Sequence, residues 1–199
     1  KDRLYTSSPD AAIRRSAQTV MHETLVALAQ IMAPILPFTA EEIWTFLPDA
    51  NKAESIHFTS LPAADDTRKD SELAEKWEQL LRVRNEVTRV LETARAEKTI
   101  GHSLDAAVTL AAAGSLYDLL DAYRSDLRSF FIVSQADLVP AADADEDFTP
   151  TAIEGLRVRV ASSAGVKCER CWVHDISVGE DPSHPSVCQR CRGVLSTIT

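Results

Sequence analysis

The sequence predicts a mainly α protein: a helical bundle, then a small α+β subdomain, then a four-cysteine zinc ribbon or knuckle. Three observations predict this. Apolar residues recur at three- and four-residue steps through much of the first hundred positions. Alternating apolar positions follow at Ala106, Val108 and Leu110 and at Leu156, Val158 and Val160. All four cysteines fall after position 167. The expected organisation is a helical bundle over 1–102, a small α+β subdomain over 103–140, an acidic linker over 141–154 and a zinc-binding module over 155–199.

Ser8 followed by Pro9 is a helix start, an N-cap with proline at the first helical position. Ile13, Ala17, Val20, Met21, Leu25, Leu28, Ile31 and Met32 then form one apolar stripe, and Pro34 stops the helix. Thr39-Ala40-Glu41-Glu42 has the form of a capping box, with Ile43, Trp44 and Leu47 as the buried face of a short helix. Residues 50–70 read as a loop with an extended piece from Ser55 to Phe58. A long helix from Ser71 to Thr99 carries Leu73, Trp77, Leu80, Val83, Val87, Val90, Leu91 and Ala94, and Gly101 is placed to cap it.

Beyond it, Ala106–Leu110 alternates as a strand does. Ser115 is placed to cap a helix using Leu116, Leu119, Leu120, Tyr123 and Leu127. Phe130–Val133 is a short apolar run of strand type, and Leu156–Val160 is a further strand.

Composition bounds the function. The 199 residues are 45% hydrophobic and 26% charged, an ordinary globular balance with net charge −9. Six of those negative charges lie between Asp137 and Glu154, flanked by prolines 140 and 150, a composition expected of a solvated linker. A domain that grips nucleic acid by bulk charge has a pI above ~9, whereas this chain has a pI near 5.0. Contact with nucleic acid must therefore come from a local patch. No apolar run approaches the ~18 residues of a membrane span, and no signal region is evident, so a cytoplasmic location is expected. The opening Lys1-Asp2-Arg3-Leu4-Tyr5 reads as a cut inside a longer protein.

The cysteines carry the strongest signal. Cys168, Cys171, Cys188 and Cys191 form C-x2-C-x16-C-x2-C. Two such pairs bring four thiolates to one tetrahedral cation, the donor set of a closed structural zinc site. Two disulfides need an oxidising compartment, and a redox pair needs no second pair. His174 and His184 lie between the pairs as competing ligands. A closed four-sulfur site leaves no open position for metal catalysis, so one structural zinc is expected and no catalytic residue is assigned.

Around the cysteines lie Lys167, Arg170, Arg190 and Arg192, with Trp172 after the second cysteine. A basic rim with one aromatic suits phosphate contact and stacking on an unpaired base. In the competing reading Trp172 packs over the zinc site as a miniature core and the arginines are solvated. Arg82, Asn85 and Arg89 share a face of the long helix and can reach a nucleic-acid backbone. The i,i+4 spacing of Glu78, Arg82 and Glu86 also fits a solvated helix face. Arg14 and Arg15 are further cations without an assigned role, and His22 reads as a packing or surface residue.

These residues resemble a known family. The opening motif, Arg14-Arg15-Ser16-Ala17-Gln18-Thr19, Ala33-Pro34-Ile35-Leu36-Pro37-Phe38-Thr39-Ala40-Glu41-Glu42-Ile43-Trp44, Ile100-Gly101-His102-Ser103-Leu104, Lys167-Cys168-Glu169-Arg170-Cys171-Trp172 and Cys188-Gln189-Arg190-Cys191 are similar to the C-terminal part of bacterial-type isoleucyl-tRNA synthetases. The bundle motifs are shared with valyl and leucyl relatives; the zinc module selects isoleucyl. The resemblance implies a class I anticodon-binding bundle and a parent ligase that joins isoleucine to its tRNA with ATP. It implies a segment that grips the anticodon side of isoleucine tRNA, with the catalytic body of the same polypeptide as its other partner. The family's ATP-binding signatures, His-Ile-Gly-His and Lys-Met-Ser-Lys-Ser, do not occur in these 199 residues. The segment alone is therefore expected to be inactive, with ATP bound only by the catalytic domain. No membrane or DNA partner is expected. The competing readings are a DNA glycosylase, some of which close on a similar zinc module, and a zinc-containing protein-interaction adaptor that does not bind RNA.

Overall fold

The expected caps do not set where the first two α-helices begin. In the computed structural model, which describes residues 2–49 and 51–198, Ser8 and Pro9 form a turn closed by the Ala11 N–H on the Ser8 carbonyl (3.1 Å). Helix α1 starts only at Ala12 and runs to Met32. Lys1 of the opening motif, Ala50 of the expected loop and Thr199 lie outside the described residues. Helix α2 spans Pro37–Phe46, with proline in its first turn. Thr39 and Glu42 therefore sit inside the helix, and the expected capping box does not form. Glu41 works instead: its carboxylate accepts the Ser55 hydroxyl (2.8 Å) and the Ile56 N–H (3.1 Å). That anchor folds the stretch read as extended into a 3-10 turn, Ile56–Phe58.

The chain divides into two compact units, Arg3–Lys69 and Asp70–Thr199. The first has a small core of Ala29, Ala33, Ala40, Trp44, Leu47 and Ile56. The Lys52 ammonium donates to the carbonyls of Trp44, Thr45 and Leu47 at the end of α2, where the helix dipole favours a cation. The Trp44 indole N–H reaches the Ala53 carbonyl at 2.8 Å. The α1 stripe expected to be buried is otherwise exposed: Val20, Met21, Leu25, Leu28 and Ile31 all face solvent. Within this unit α2 covers α1 around Ala29 and Ala33, with Val26 and Ile43 partly buried beside them.

The second unit is built on the long helix α3, Ser71–Ala96, capped by the Asp70 carboxylate on the Leu73 N–H (2.9 Å). Its stripe Leu80, Val83, Val87, Val90, Leu91 and Ala94 packs into one core with the strands. The helix stops short of Thr99 because Lys98, not Gly101, takes the left-handed conformation (φ 62°). Gly101 and His102 instead donate their N–H groups to the Asp105 carboxylate.

Strand β1 (Ala106–Ala112) is followed by α4 (Gly114–Ala122) and α5 (Arg124–Phe131), which return the chain to β2 (Gln135–Pro140) parallel to β1. Ser115 lies inside α4 and does not cap it; the cap position is Ala113. β4 (Leu156–Ser162) pairs antiparallel on the other side of β1, and β3 (Thr149–Pro150) pairs with β4, giving the order β2-β1-β4-β3. Leu110 thereby stands opposite Leu138 and Val158, at the centre of the sheet.

Two sequence readings change here. Phe130–Val133 is not a strand. Leu127 and Phe131, one helical turn apart, bury together, and Phe130 meets Trp77 edge-on at 5.6 Å. Ile132 then turns left-handed (φ 59°) and ends α5. Residues 141–154, read as an acidic linker, hold buried Phe148 and strand β3, and Arg157 donates to the Phe148 carbonyl at 2.7 Å. The Arg159 guanidinium lies 4.8 Å from the Phe148 ring centroid. Asp143, Asp145, Glu146 and Asp147 stay exposed while the backbone between them is anchored. Across the described residues about half of the chain is helical, with two small sheets and a four-cysteine cluster.

Candidate metal centre and nucleic-acid interface

Two knuckles build the centre. Strands β5 (Val166–Lys167) and β6 (His174–Asp175) form an antiparallel pair joined through Cys168–Val173. Gly165 permits the close approach: a Cβ there would stand 2.3 Å from the Asp175 carbonyl carbon, at φ +90°. Inside the turn the Trp172 N–H donates to the Cys168 carbonyl (2.7 Å) and the Cys168 N–H to the Val173 carbonyl (2.9 Å). Trp172 is left-handed (φ 68°), which turns its ring away from the sulfur cluster and Val173 inward. The second knuckle is the start of helix α6 (Gln189–Leu195), with Cys188 at its cap position and Cys191 in its first turn. The Glu169 N–H to the Ser186 carbonyl (3.0 Å) joins the two.

All four cysteines are free thiols and buried, and their Sγ atoms lie within 4.8 Å of one another. A tetrahedral zinc with ~2.3 Å bonds to sulfur requires S···S edges of about 3.8 Å. Cys171 Sγ and Cys188 Sγ are 3.8 Å apart. The donor set and its geometry thus fit a soft, four-coordinate divalent cation, and among the described residues no His, Asp or Glu joins the four cysteines. His174 and His184 are not in the cluster. His174 Nε2 lies 3.5 Å from the Asp105 carboxylate, and His184 is exposed.

The sulfurs differ in environment. Burial raises Cys168, but N–H groups of Cys171, Cys188 and Arg170 outweigh it and bring the thiol to about 7. The Cys188 N–H stands 3.3 Å from Cys168 Sγ. Burial pushes Cys188 and Cys191 upward, with nearby Cys171 adding to both.

The cluster is tied to the rest of its unit. Leu104, Val173 and Val187 are buried around the sulfurs. The buried Ser134 hydroxyl accepts the His174 N–H (2.8 Å) and donates to the Leu104 carbonyl. The Ser177 hydroxyl accepts the Gln189 N–H (2.8 Å) and donates to the Asp175 carboxylate (2.6 Å). Sequence reading missed Ser134, Val173 and Val187. Leu104 was visible only as the end of the Ile100–Leu104 motif.

The expected contact residues fall into three groups. Lys167 and Trp172 come together on the outer face of the first knuckle, the ammonium 5.7 Å from the ring centroid, with Trp172 52% exposed. The miniature core expected of Trp172 is therefore not formed; Val173 fills that role. Arg170 and Arg190 turn toward sulfur: Arg170 Nη1 is 3.7 Å from Cys191 Sγ, and Arg190 donates to Cys171. The remaining three make ion pairs. Arg192 meets Glu180 at 3.3 Å and Asp181 at 3.9 Å, Arg82 meets Glu78, and Arg89 meets Glu86 at 2.9 Å and the Pro150 carbonyl at 3.2 Å. Among the described residues no helix is long and apolar enough to cross a membrane.

Comparison with known proteins adds two family matches. Residues 1–110 match the anticodon-binding domain of tRNA ligases, and residues 165–193 match a zinc finger found in FPG and IleRS. The chain is 46% identical over 197 residues to the isoleucine–tRNA ligase of Syntrophotalea carbinolica, an alignment covering 98% of the chain and 21% of that protein. It is 45% identical to that of Geobacter sulfurreducens, over 96% of the chain and 20% of the relative. It is 37% identical to that of Desulfotalea psychrophila, over 98% and 21%. The chain spans about a fifth of the length of the curated relatives it matches. With more than half its residues inside the first family match and the zinc-finger match following it, the chain belongs to the family of the anticodon-binding domain of tRNA ligases.

Proposed function

We propose that this chain is the anticodon-side, tRNA-gripping segment of an isoleucine–tRNA ligase, a class I enzyme that joins isoleucine to its tRNA with ATP in the cytoplasm. One observation carries the reading: an anticodon-binding family match over 1–110 is followed, in the same chain, by a buried four-sulfur cluster of zinc-binding geometry. Residues 1–102 form the class I anticodon-binding part, whose helix α3 also shares its core with the small subdomain over 103–140, and 155–199 form a module closed by one structural zinc on Cys168, Cys171, Cys188 and Cys191. The zinc supplies folding energy and no chemistry. Isoleucine activation, ATP binding and catalysis belong to the catalytic body of the same polypeptide, and the isolated segment is inactive.

Recognition follows from what the knuckle presents. Splayed anticodon bases are read by stacking and hydrogen bonding. The exposed Trp172 ring is a stacking platform, and Lys167 beside it supplies a cation for the adjoining phosphate. Arg170, Arg190 and Arg192 continue the rim, and Arg82 and Arg89 on α3 extend backbone contact. The net charge of −9 keeps this binding local to those cations. Replacing Trp172 with alanine is expected to weaken binding of isoleucine tRNA by roughly 5- to 150-fold, the ~1–3 kcal/mol of one stacked base, with zinc content unchanged. Filter binding with metal analysis of the same sample checks both. Wild-type affinity in the variant would remove the platform.

A further inference from the structure

Each knuckle repeats one short pattern, Cys-x-Arg-Cys: Cys168-Glu169-Arg170-Cys171 and Cys188-Gln189-Arg190-Cys191. The spacing needed for metal binding accounts for the cysteines but not for an arginine at the same place in both. The structure gives the repeated arginine a use. We infer that Arg170 and Arg190 form a crossed clamp on the metal centre, each donating N–H to the second cysteine of the opposite knuckle. Arg170 Nη1 lies 3.7 Å from Cys191 Sγ, and Arg190 donates to Cys171 Sγ. This inference rests on the zinc reading above.

The remaining donors explain why the second cysteines need it. The first cysteine of each pair is served by backbone. Cys168 accepts the N–H of Cys188 at 3.3 Å and N–H groups of its own knuckle, and Cys188 accepts the N–H of Cys191. A knuckle turn aims its amides back at its opening residue, so the sulfur that closes the turn takes its donors from elsewhere. A side chain from the facing knuckle reaches it.

Charge points the same way. A divalent cation with four thiolates has formal charge −2, and two guanidinium groups cancel it. Arginine suits this place because it stays charged and carries five donors in a rigid fork. One donor on sulfur is compatible with the rim role proposed for the same side chains. Because the clamp crosses between knuckles, it also resists their separation.

Outer partners of metal ligands change metal affinity about 10- to 100-fold, and that sets the expected effect. The zinc-loaded chain is titrated with a chromogenic chelator, and the cobalt-loaded chain supplies the sulfur-to-metal charge-transfer band. Arg170→Ala and Arg190→Ala each release zinc at roughly tenfold lower chelator concentration, and the double variant releases it sooner still. The cobalt band of each moves to longer wavelength, because sulfur that has lost an N–H donor gives up an electron more easily. Arg170→Gln, which keeps N–H without charge, falls between wild type and Arg170→Ala and stands in if the alanine variant does not fold. Arg95→Ala, an arginine paired with Glu92 on α3, leaves both readouts unchanged. Wild-type zinc retention and an unmoved cobalt band in the arginine variants would overturn the clamp. A wild-type chain that takes up no zinc would instead overturn the metal reading.

Discussion

Removing the metal from the four-cysteine centre is expected to unfold residues 165–198 while leaving the long helices folded. The apolar residues packed around the sulfurs are Leu104, Val173 and Val187, with Val178 and Leu195 beside them. That is too little apolar surface to offset the entropy of ordering some thirty residues at ~1–2 kcal/mol each. Structural zinc contributes about 10–16 kcal/mol in small sites, which makes the metal the largest single term in this module. Cys191→Ser is expected to act as chelation does. Leu104 and Ser134 lose their partners across the junction, but the sheet keeps its own core from Leu80 to Val158. Limited proteolysis with and without chelator checks this, alongside far-ultraviolet circular dichroism. New cleavage confined to 165–198 with most helical signal retained is the expected result. Collapse of the helical signal would show that the two parts fold as one, and unchanged cleavage would show that the module stands without metal.

Leu110→Ala is expected to destabilise the second unit by about 2–5 kcal/mol, the cost of a large-to-small change in a core that relaxes little. Leu110 is fully buried on the central strand, opposite Leu138 of β2 and Val158 of β4, and belongs to the same core as the α3 stripe. Neither neighbouring strand can close over the cavity without breaking its pairing with β1. Val166→Ala, at a position 61% exposed on the edge of the knuckle, serves as the comparison. Urea unfolding followed by tryptophan fluorescence should show a much lower midpoint for Leu110→Ala and almost no change for Val166→Ala. Similar midpoints for the two would mean that this sheet is not the centre of the unit.

Much of this arrangement is legible in sequence where one period or one spacing dominates. The long helix, the strands at Ala106–Leu110 and Leu156–Val160, and the gathering of the four cysteines each follow from a local pattern. The misreadings have a common cause, since long-range packing overrode a local signal. Phe130–Val133 looks like a strand until Leu127 and Trp77 supply partners on a helical face. Thr39 and Glu42 look like a capping box until Pro37 starts the helix three residues early, with Leu36 at the cap position. Acidic residues 143–147 look like a linker because composition does not reveal that Phe148 and Arg157 anchor the backbone between them.

At the site, the cysteines were legible as ligands because metal chemistry restricts both residue type and spacing. The orientation of Trp172 was not. It depends on a left-handed backbone at a non-glycine position, for which the sequence carries no marker. Nor was Ser134 legible, because a single serine 34 residues before Cys168 carries no pattern.

The proposed function has these residues grip the anticodon side of isoleucine tRNA. Its most direct test is binding of the zinc-loaded chain to isoleucine tRNA beside the same tRNA with its anticodon replaced, at two salt concentrations. Tighter binding to the native anticodon, with a preference that persists as salt weakens both complexes, is the predicted result, because stacking and base contacts do not screen as phosphate contacts do. Equal affinity for the two RNAs at both salt concentrations would contradict it.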